Sequence, residues 1–261
     1  MNLGPKLKTF YRAVRRIRNW PTAVDLRLRR RKSGLRLLSF RSGLNVLVRG
    51  GTQDWGVVSE LALADAYGPS LDYLRRLSGE PVVLDLGANL GVFSLLAAAA
   101  NDKARIFAYE PGPANQRMFE LNRLANPGVA DRIELRGEAV GGETRGTKFF
   151  YDEANPQASG ICYVRGKTID VQVRAFVEVL QSLPGPVDVA KIDIEGAEFE
   201  LLEHTPAELW KRVSVMSIEI HDDPACQRSL EKFLERMVAL GFRYRLEPVG
   251  TCTYFFDRTR G

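Results

Sequence analysis

Cysteine is scarce in this chain: there are three, Cys162, Cys226 and Cys252, and no two form a Cys-x-x-Cys pair. An odd, unpaired set is atypical of a disulfide framework or a zinc finger, so we expect reduced thiols in a cytoplasmic protein. No stretch reaches the roughly 18–20 uninterrupted apolar residues that a membrane-spanning helix needs. The N-terminus also lacks the apolar core and small-residue cleavage site of a secretory signal.

Acidic residues are almost missing from residues 1–50, which hold 14 Lys and Arg and a single acid, Asp25. The remaining residues, 51–261, hold 23 basic and 31 acidic residues. This asymmetry predicts a basic N-terminal extension, 1–50, on an acidic main domain, 51–261.

The extension has its own periodicity. Phe10, Val14 and Ile17 fall at helical spacing among arginines, which predicts a short amphipathic helix. Residues Leu35–Phe40 and Leu44–Val48 flank "RSG" and predict a hairpin. The extension could touch the inner face of a membrane, bind nucleic acid, or form a solvated basic face that contacts the acidic body or an anionic substrate. Because no aromatic stacking pattern accompanies the charge, we expect no nucleic acid partner.

Strand-like and helix-like segments alternate from Pro81 onward. The predicted strands are Val82–Leu86, Ile106–Tyr109, Ile133–Leu135, Val187–Ile194 and Val213–Ile220. The predicted helices are Val92–Ala100, Pro113–Ala125, Arg174–Leu183, Glu198–Glu203 and Cys226–Leu240. This alternation is typical of a doubly wound, mostly parallel α/β sheet. "TKFFYD" and "TIDVQV" interrupt it as short strands, and "FRYRLEP" with "CTYFFD" predicts an antiparallel hairpin that closes the sheet.

The stretch "VVLDLGANLG" places an acid and two glycines between a strand and a helix. Ligands of open parallel sheets bind beyond the carboxyl ends of the strands. Gly87 and Gly91 would let the backbone turn and let a ligand approach, and Ala88 and Asn89 lie between them. The stretch lacks the Gly-x-Gly-x-x-Gly of a dinucleotide fold, and Asp85 would repel a phosphate. S-adenosylmethionine carries an ammonium, a ribose and a sulfonium without a phosphate, so it fits better.

Two further acids follow at the ends of later strands. Glu110, in "YEP", stands where a carboxylate can accept the hydroxyls of a ribose. Glu138, followed by Ala139 in "GEAV", stands where an acid can accept from an adenine amino group. We therefore predict that these residues join Asp85 and the glycine loop in binding S-adenosylmethionine.

Two predicted central strands turn polar at every second residue. Lys191, Asp193 and Glu195 share one face of "VAKIDIEG", and Ser217, Glu219 and His221 share one face of "SVMSIEIHD". Such groups are costly inside a sheet unless they are paired or functional. A Lys191–Glu219 ion pair would satisfy both charges, and the later residues would face the ligand cleft.

Four stretches together resemble the FkbM family of S-adenosylmethionine-dependent methyltransferases: "VVLDLGANLGVFSLLAA", "YEPGPANQRMFELNRLAN", "VDVAKIDIEGAEFELLE" and "SIEIH". The segment "GTQDWGVVSELALADAYG" resembles the lead-in of that family, and coverage runs from about Leu44 to Phe256. The resemblance implies a seven-stranded class I methyltransferase fold, which is Rossmann-like. It also implies O-methylation, usually of a hydroxyl on a sugar, glycan or glycolipid, or polyketide-like acceptor.

We therefore predict an O-methyltransferase in which a general base takes the proton of the acceptor hydroxyl. His221 is the first choice because its ordinary pKa lies near neutrality. Asp193 is the second, and Glu195 lies beside them. The alternatives are a nicotinamide-dependent oxidoreductase, an RNA or protein methyltransferase that uses the basic extension, and a non-catalytic cofactor-binding protein.

A divalent metal is a further alternative that we do not favour. Lys191 supplies a positive charge close by, which weakens the case for a cation. The residues that offer hard oxygen or nitrogen ligands are Asp193, Glu195, Glu219, His221 and Asp222.

Overall fold

The computed structural model of the chain describes residues 5–28, 33–151, 167–221, 229–249 and 252–258. The helices are α1 (Pro5–Arg16), α2 (Trp20–Leu28), α3 (Asp54–Val58), α4 (Gly68–Leu74), α5 (Val92–Ala100), α6 (Pro113–Leu124), α7 (Pro127–Ala130), α8 (Phe176–Ser182), α9 (Glu198–His204), α10 (Ala207–Trp210) and α11 (Leu230–Ala239). A π-helical turn, Ser59–Leu63, follows α3.

The strands form a central sheet and two small sheets. They are β1 (Leu35–Ser39), β2 (Asn45–Arg49), β3 (Val82–Leu86), β4 (Arg105–Tyr109), β5 (Ile133–Arg136), β6 (Ala139–Gly141), β7 (Arg145–Tyr151), β8 (Lys167–Ala175), β9 (Val187–Ile192), β10 (Val213–Glu219), β11 (Phe242–Leu246) and β12 (Thr253–Arg258).

The central sheet has seven strands in the order β11-β12-β10-β9-β3-β4-β5. Pairing is parallel from β10 to β5, whereas β12 is antiparallel to both β10 and β11. The predicted doubly wound sheet with a C-terminal antiparallel hairpin is therefore confirmed. The chain runs outward from β3 to β5 and then returns to β9 on the other side of β3. The strand order thus reverses between β3 and β9, where ligands of open α/β sheets bind.

Alternate residues of the central strands face two separate hydrophobic cores. On one face, Val83 and Ile106 pack with α4, α5 and the N-terminal residues. On the other, Leu84 and Phe107 pack with α8, α9, α10 and α11. Both faces of a parallel sheet are covered in this way, which explains why its strands read as near-continuous apolar runs.

Several predicted boundaries shift. Strand β9 ends at Ile192, before the predicted Ile194, because Glu195 and Gly196 turn the chain with φ of +55° and +101° toward α9. Strand β10 ends at Glu219, one residue before the predicted Ile220. The helix predicted from Arg174 begins at Phe176, because Arg174 still pairs with Val140 of β6. The helix predicted from Cys226 begins at Leu230 after the cap Ser229, whose hydroxyl accepts from the Lys232 N–H at 3.3 Å.

The N-terminal residues form the predicted helix, α1, and the predicted hairpin, β1–β2, joined by α2. Arg12 and Arg16 donate to the carbonyls of Leu63 and Ala62 at 2.9 and 2.8 Å. Arg16 also forms an ion pair with Asp65. The segment therefore packs against the π-helical turn, and the domain boundary at residue 50 stays a prediction.

The remaining observations concern membrane-spanning helices and the three cysteines. Within the described residues, no helix has both the length and the apolar character needed to cross a membrane. Cys252 is a free thiol. Cys162 and Cys226 lie outside the residues that the structure describes.

Asn122 of α6 links the N-terminal hairpin to the loop after β3. Its fully buried amide accepts from the Leu47 N–H at 2.6 Å and donates to the carbonyls of Leu47 and Leu90 at 3.2 and 2.8 Å. Asn126, one turn later, does the same for Asn45 with hydrogen bonds of 2.8 and 2.6 Å. These side-chain amides thus bond the backbone N–H and C=O groups of β2, as the backbone of a neighbouring strand would.

We expect Asn122→Ala to lower the melting temperature by roughly 4–8 °C, because it leaves buried backbone groups of Leu47 and Leu90 without partners, at a cost of about 1–3 kcal/mol. Leu124→Ala is the matched control on the same helix, since that side chain is 66% exposed. Thermal unfolding followed by circular dichroism measures both. Equal shifts in the two variants would contradict this role for the amide.

Candidate active site

The glycines of the loop after β3 are required by the protein's own packing. A Cβ on Gly87 would lie 1.8 Å from the carbonyl oxygen of Asp193, and one on Gly91 would lie 2.8 Å from the Phe119 ring. Both glycines have positive φ, +74° and +84°. A side chain at either position would therefore meet the end of β9 or α6, and the predicted contact of these glycines with a ligand stays a prediction.

Asp85 lies at the bottom of the site. It is fully buried and is the second-to-last residue of β3. Its Oδ2 accepts from Ser94 Oγ at 2.6 Å, and its Oδ1 lies 3.7 Å from Lys191 Nζ. Burial raises the pKa of Asp85 although Lys191 and Ser94 oppose the shift. Its carboxylate faces inward in this structure, so a direct contact with the ammonium of a cofactor stays a prediction.

Glu110 is also buried, beside the same loop. Its Oε2 accepts from the Asn89 N–H at 2.8 Å, and its Oε1 accepts from the Gly112 N–H at 2.8 Å and from Asn115 Nδ2 at 3.4 Å. Burial raises the pKa of Glu110 against these hydrogen bonds. A carboxylate has about four acceptor positions, so capacity for a ribose hydroxyl remains.

The third predicted acid takes a different partner. Glu138 lies between β5 and β6 and forms an ion pair with Arg174 at 3.7 Å. Ala139 packs with Phe149 and Val173 in the core of the small sheet. The predicted contacts of these two residues with an adenine stay predictions.

Lys191 occupies the switch point between β3 and β9. Its ammonium donates to the carbonyls of Leu86 and Gly87 at 3.2 and 2.6 Å and lies 3.3 Å from Asp193 Oδ2. Burial alone would lower the pKa of Lys191, but Asp193 and then Asp85 raise it above its ordinary value. The expected ion pair with Glu219 is replaced by pairs with Asp193 and Asp85, which lie on either side of the ammonium.

A cavity of about 150 Å³ opens above Lys191, and we call it the reaction cavity. Of the predicted site residues, Gly87, Ala88, Asn89, Asp193 and Glu195 line it. Its other lining residues are Val57, Glu60, Leu61, Tyr67, Phe93, Lys191 and Glu219. It therefore combines an apolar wall with three carboxylates at the carboxyl edge of the sheet and a fourth, that of Glu60, on the π-helical turn.

His221 stands behind these carboxylates. Its Nδ1 lies 3.0 Å from Glu198 Oε1, and its Nε2 lies 3.6 Å from Glu195 Oε2 and 3.9 Å from Glu219 Oε1. Burial alone would lower the pKa of His221, but the Glu198 hydrogen bond and charge, with Glu195 and Asp193, raise it to about 10. A pKa of about 10 favours the imidazolium at pH 7, which argues against His221 as a base there, and the predicted catalytic role of His221 stays a prediction.

Glu219 has the ionisation expected of a base at neutral pH. Burial, reinforced by the charge of Asp193, raises the pKa of Glu219 to about 7, although the nearby His221 cation lowers it. Its carboxylate lines the reaction cavity. Glu219 thus combines access with a pKa close to the working pH.

Three of these residues could hold a metal ion. Asp193, Glu195 and His221 each offer one ligand atom, and the three atoms lie within 4.8 Å of one another. Oxygen and imidazole ligands in this number suit a divalent cation. Asp222, the other residue considered for a metal, lies outside the described residues. The expectation of no metal stays untested.

The residues present fit a polar cofactor beside the loop. No hydrogen-bond donor among the described residues reaches the buried atoms Asp85 Oδ1 and Asn89 Oδ1. Buried acceptors are rarely left without a donor. Asn89 lines the reaction cavity, so its Oδ1 is suited to the donors of a bound molecule, whereas Asp85 Oδ1 lies 3.7 Å from Lys191 Nζ. The amino and hydroxyl groups of S-adenosylmethionine are donors of this kind.

Sequence reasoning missed Glu60, Tyr67 and Glu198. Glu198 is 1% exposed and accepts from the Ile194 and Gly196 N–H groups at 3.1 and 3.0 Å as well as from His221. An acid in the first turn of a helix, directly after "IEGA", is the signal that could have identified it. Glu60 and Tyr67 lie in the lead-in segment, which carried no motif of its own.

We expect Gly87→Ala to disrupt the switch point and destabilise the fold, because the added Cβ collides with the Asp193 carbonyl. Gly79→Ala is the matched control: Gly79 also has positive φ, +82°, but nothing lies within 4 Å of its Cβ position. The control should cost about 1–2 kcal/mol of unfolding free energy from backbone strain alone. Chemical denaturation compares the two, and equal losses would contradict the collision.

Comparison with known proteins agrees with this geometry. The model of the methyltransferase FkbM domain matches residues 85–244. A protein named Methyltransferase sdnD from Sordaria araneosa is 25% identical over 193 residues, which covers 62% of this chain and 74% of that protein. The AMB antimetabolite synthetase AmbE from Pseudomonas aeruginosa is 37% identical over 185 residues, covering 56% of this chain and 9% of that protein.

Among solved structures, a SAM-dependent methyltransferase from Agrobacterium tumefaciens has the same fold. It aligns with a TM-score of 0.50 and 13% identity over 85% of this chain and 69% of that one. Because the family model spans more than half of the sequence, and begins at the acid of the glycine loop, the chain belongs to the FkbM methyltransferases.

Proposed function

We propose that the protein transfers a methyl group from S-adenosylmethionine to a hydroxyl of a sugar, of a glycan or glycolipid, or of a polyketide-like acceptor. The observation that carries this proposal is the lining of the reaction cavity. Glu60, Asp193, Glu195 and Glu219 all face it beside the glycine loop. Carboxylates accept hydrogen bonds from hydroxyl groups and can take their protons, so they suit an alcohol acceptor.

The cofactor would be held by the loop after β3 and by the acids around it. S-adenosylmethionine supplies an electrophilic methyl group on a positively charged sulfur. Glu110 is suited to accept from ribose hydroxyls, and Asn89 and Asp85 have acceptor atoms to spare. The negative charge of Asp193, Glu195 and Glu219 favours a cationic ligand in this cavity.

Glu219 is the proposed general base. An alcohol is a poor nucleophile until it loses its proton, and a positioned base contributes about 10²–10⁴-fold to such a step. With a pKa of about 7, the Glu219 carboxylate could take that proton while the acceptor oxygen bonds to the methyl carbon. The methyl–sulfur bond would break in the same displacement, and its electron pair would stay on the sulfur of neutral S-adenosylhomocysteine. Asp193 and Glu195 are proposed to orient the acceptor through hydrogen bonds to its hydroxyls.

His221 is proposed to act through these carboxylates. As an imidazolium held by Glu198, it places a positive charge against Glu195 and Glu219. That charge keeps the carboxylates close together and lowers the pKa of Glu219. On the opposite wall Val57, Leu61 and Phe93 limit access of water to the reacting groups.

The contacts of the basic N-terminal segment favour a small acceptor over RNA or protein. Arg12 and Arg16 are engaged with backbone carbonyls and with Asp65, so this part of the basic charge is used within the chain. Labelled S-adenosylmethionine, incubated with sugar, glycolipid or polyketide alcohols and separately with RNA and protein extracts, tests this choice. Transfer to RNA or protein alone, or no transfer at all, would overturn the proposal.

We expect Glu110→Ala to weaken binding of S-adenosylhomocysteine, measured by calorimetry, by about tenfold or more, because it removes acceptors beside the Asn89 amide. Glu138→Ala is the comparison variant, because the carboxylate that it removes forms an ion pair with Arg174. Circular dichroism checks that both variants fold. Unchanged affinity in a folded Glu110→Ala variant would show that the ribose assignment is wrong.

The pH dependence of turnover distinguishes the two candidate bases. Turnover should rise as the pH is raised through about 7, the pKa of Glu219. Below that pH the Glu219 carboxyl group is already protonated and cannot accept the proton of the acceptor hydroxyl. Glu219→Gln should lower turnover about a hundredfold or more and abolish this rise. His221→Ala should move the rise to higher pH, because the cation that lowers the pKa of Glu219 is lost.

Asp193→Asn should move the rise in the other direction, to lower pH, because the Asp193 charge raises the pKa of Glu219. Affinity for S-adenosylhomocysteine serves as the control for the cofactor half of the site. If His221→Ala abolishes the rise and Glu219→Gln retains it, the histidine is the base.

A further inference from the structure

A second cavity lies between the N-terminal segment and helix α5, and we call it the outer cavity. Its volume is about 330 Å³, within the range of about 300–1,000 Å³ found for small-molecule sites. Its walls come from α1, the turn and strand β2 of the hairpin, the π-helical turn, α4 and α5. Among the described residues, Leu61 alone lines both this cavity and the reaction cavity. The outer cavity is therefore a separate compartment with a shared wall.

The interior of the outer cavity is apolar. Side chains from the hairpin and from α4 and α5 cover it, namely Phe40, Leu44, Val46, Leu71, Val92 and Leu95. An unfilled apolar cavity forgoes the favourable contacts that a hydrocarbon ligand would supply. Water gains little there, because it needs polar partners. The interior thus suits a hydrocarbon chain.

The rim of the outer cavity is basic. Arg15, Arg16, Arg41 and Arg75 lie on it, with Asp65 as the acid among the lining residues. Arg16 is paired with Asp65, and Arg75 is paired with Asp72.

Two of these arginines are not neutralised by a carboxylate. Arg15 donates to the neutral Tyr11 hydroxyl at 3.0 Å and lies over its ring. Arg41 is exposed and has no side-chain hydrogen bond or ion pair with the residues that the structure describes. The backbone N–H of Arg41 donates to the Arg16 carbonyl at 2.7 Å, which keeps Arg41 beside the end of α1. Two cationic groups are thus available at the mouth of an apolar chamber.

We infer that the outer cavity binds a single-chain anionic amphiphile, with the hydrocarbon chain inside and a carboxylate or phosphate head group between Arg15 and Arg41. Guanidinium groups bind both kinds of anion well. A small anion would leave the apolar interior unused, and an uncharged hydrocarbon would leave the rim unused. An amphiphile matches both halves of the site.

Calorimetry on the full chain tests this with monomeric ligands below their micellar concentration. Dodecanoate and dodecyl phosphate should both bind, and the stronger of the two identifies the preferred head group. Dodecanol should bind about three- to tenfold more weakly, since exposed charge pairs contribute modestly. Butyrate should not bind measurably. Lengthening the chain should strengthen binding by about fourfold per methylene until the cavity is full.

Two variants separate the chain from the head group. Leu96→Trp, at a half-buried position of the wall, should fill the chamber and abolish binding. The double variant Arg15→Gln with Arg41→Gln should weaken dodecanoate binding about three- to tenfold and leave dodecanol unchanged. Its matched control is Arg18→Gln with Arg36→Gln, which removes equal charge from the same segment outside the cavity. Melting temperatures confirm that each variant is folded.

Three results would overturn the inference. The first is that the parent protein binds none of the amphiphiles, whatever the length of their hydrocarbon chain. The second is equal binding by the parent and a folded Leu96→Trp variant. The third is co-sedimentation with anionic vesicles, equal in both proteins, together with no binding of monomeric amphiphile; that result would assign the basic segment to a membrane surface.

Discussion

The buried ammonium of Lys191 is the interaction on which the switch point depends. It donates to the carbonyls of Leu86 and Gly87, at the end of β3, and lies near both Asp85 of β3 and Asp193, which directly follows β9. Burying these charges is costly, and the arrangement is stable only because each charge has an opposite charge and hydrogen bonds. Loss of the ammonium would leave two carboxylates facing each other beneath the glycine loop. The ammonium therefore adds a side-chain link between the ends of β3 and β9, beyond the backbone pairing of Leu86 with Ile192.

A second buried group, Glu198, organises the residues that follow β9. One of its oxygens accepts from the Ile194 N–H and lies against His221, and the other accepts from the Gly196 N–H. These contacts hold Glu195 in its left-handed conformation, which turns its side chain toward the imidazole. The chemistry of the reaction cavity thus rests on two buried residues, Lys191 and Glu198, that lie below and behind it.

The uneven distribution of charge along the sequence corresponds to two cavities with different lining charges. Several acids of the main domain gather at the carboxyl edge of the sheet, where burial and then the charge of Asp193 raise the pKa of Glu219 to about 7, against the opposing charges of His221 and Lys191. The basic residues of the N-terminal segment lie around a different cavity, across Leu61. Two compartments of opposite charge therefore share one wall, and each favours a different kind of ligand.

Local patterns in the sequence determined the architecture. Strand β3 and helix α5 lie at the predicted residues, Val82–Leu86 and Val92–Ala100, because hydrophobic period and glycine punctuation act over a few residues. The same period-2 rule placed Lys191 and Asp193 on one face and at one edge of the sheet. The parallel order of the strands followed from the alternation of strand and helix.

Tertiary structure alone decided the partners and the ionisation of the site. Lys191 lies against Asp85, more than 100 residues earlier, and His221 lies against Glu198, 23 residues earlier. Pairing over such separations depends on strand register and burial, which no local pattern encodes. The pKa values of His221 and Glu219 depend in turn on how many carboxylates surround them. For that reason the sequence could name the ionisable groups of this site, whereas only the folded chain could assign which of them holds a proton at neutral pH.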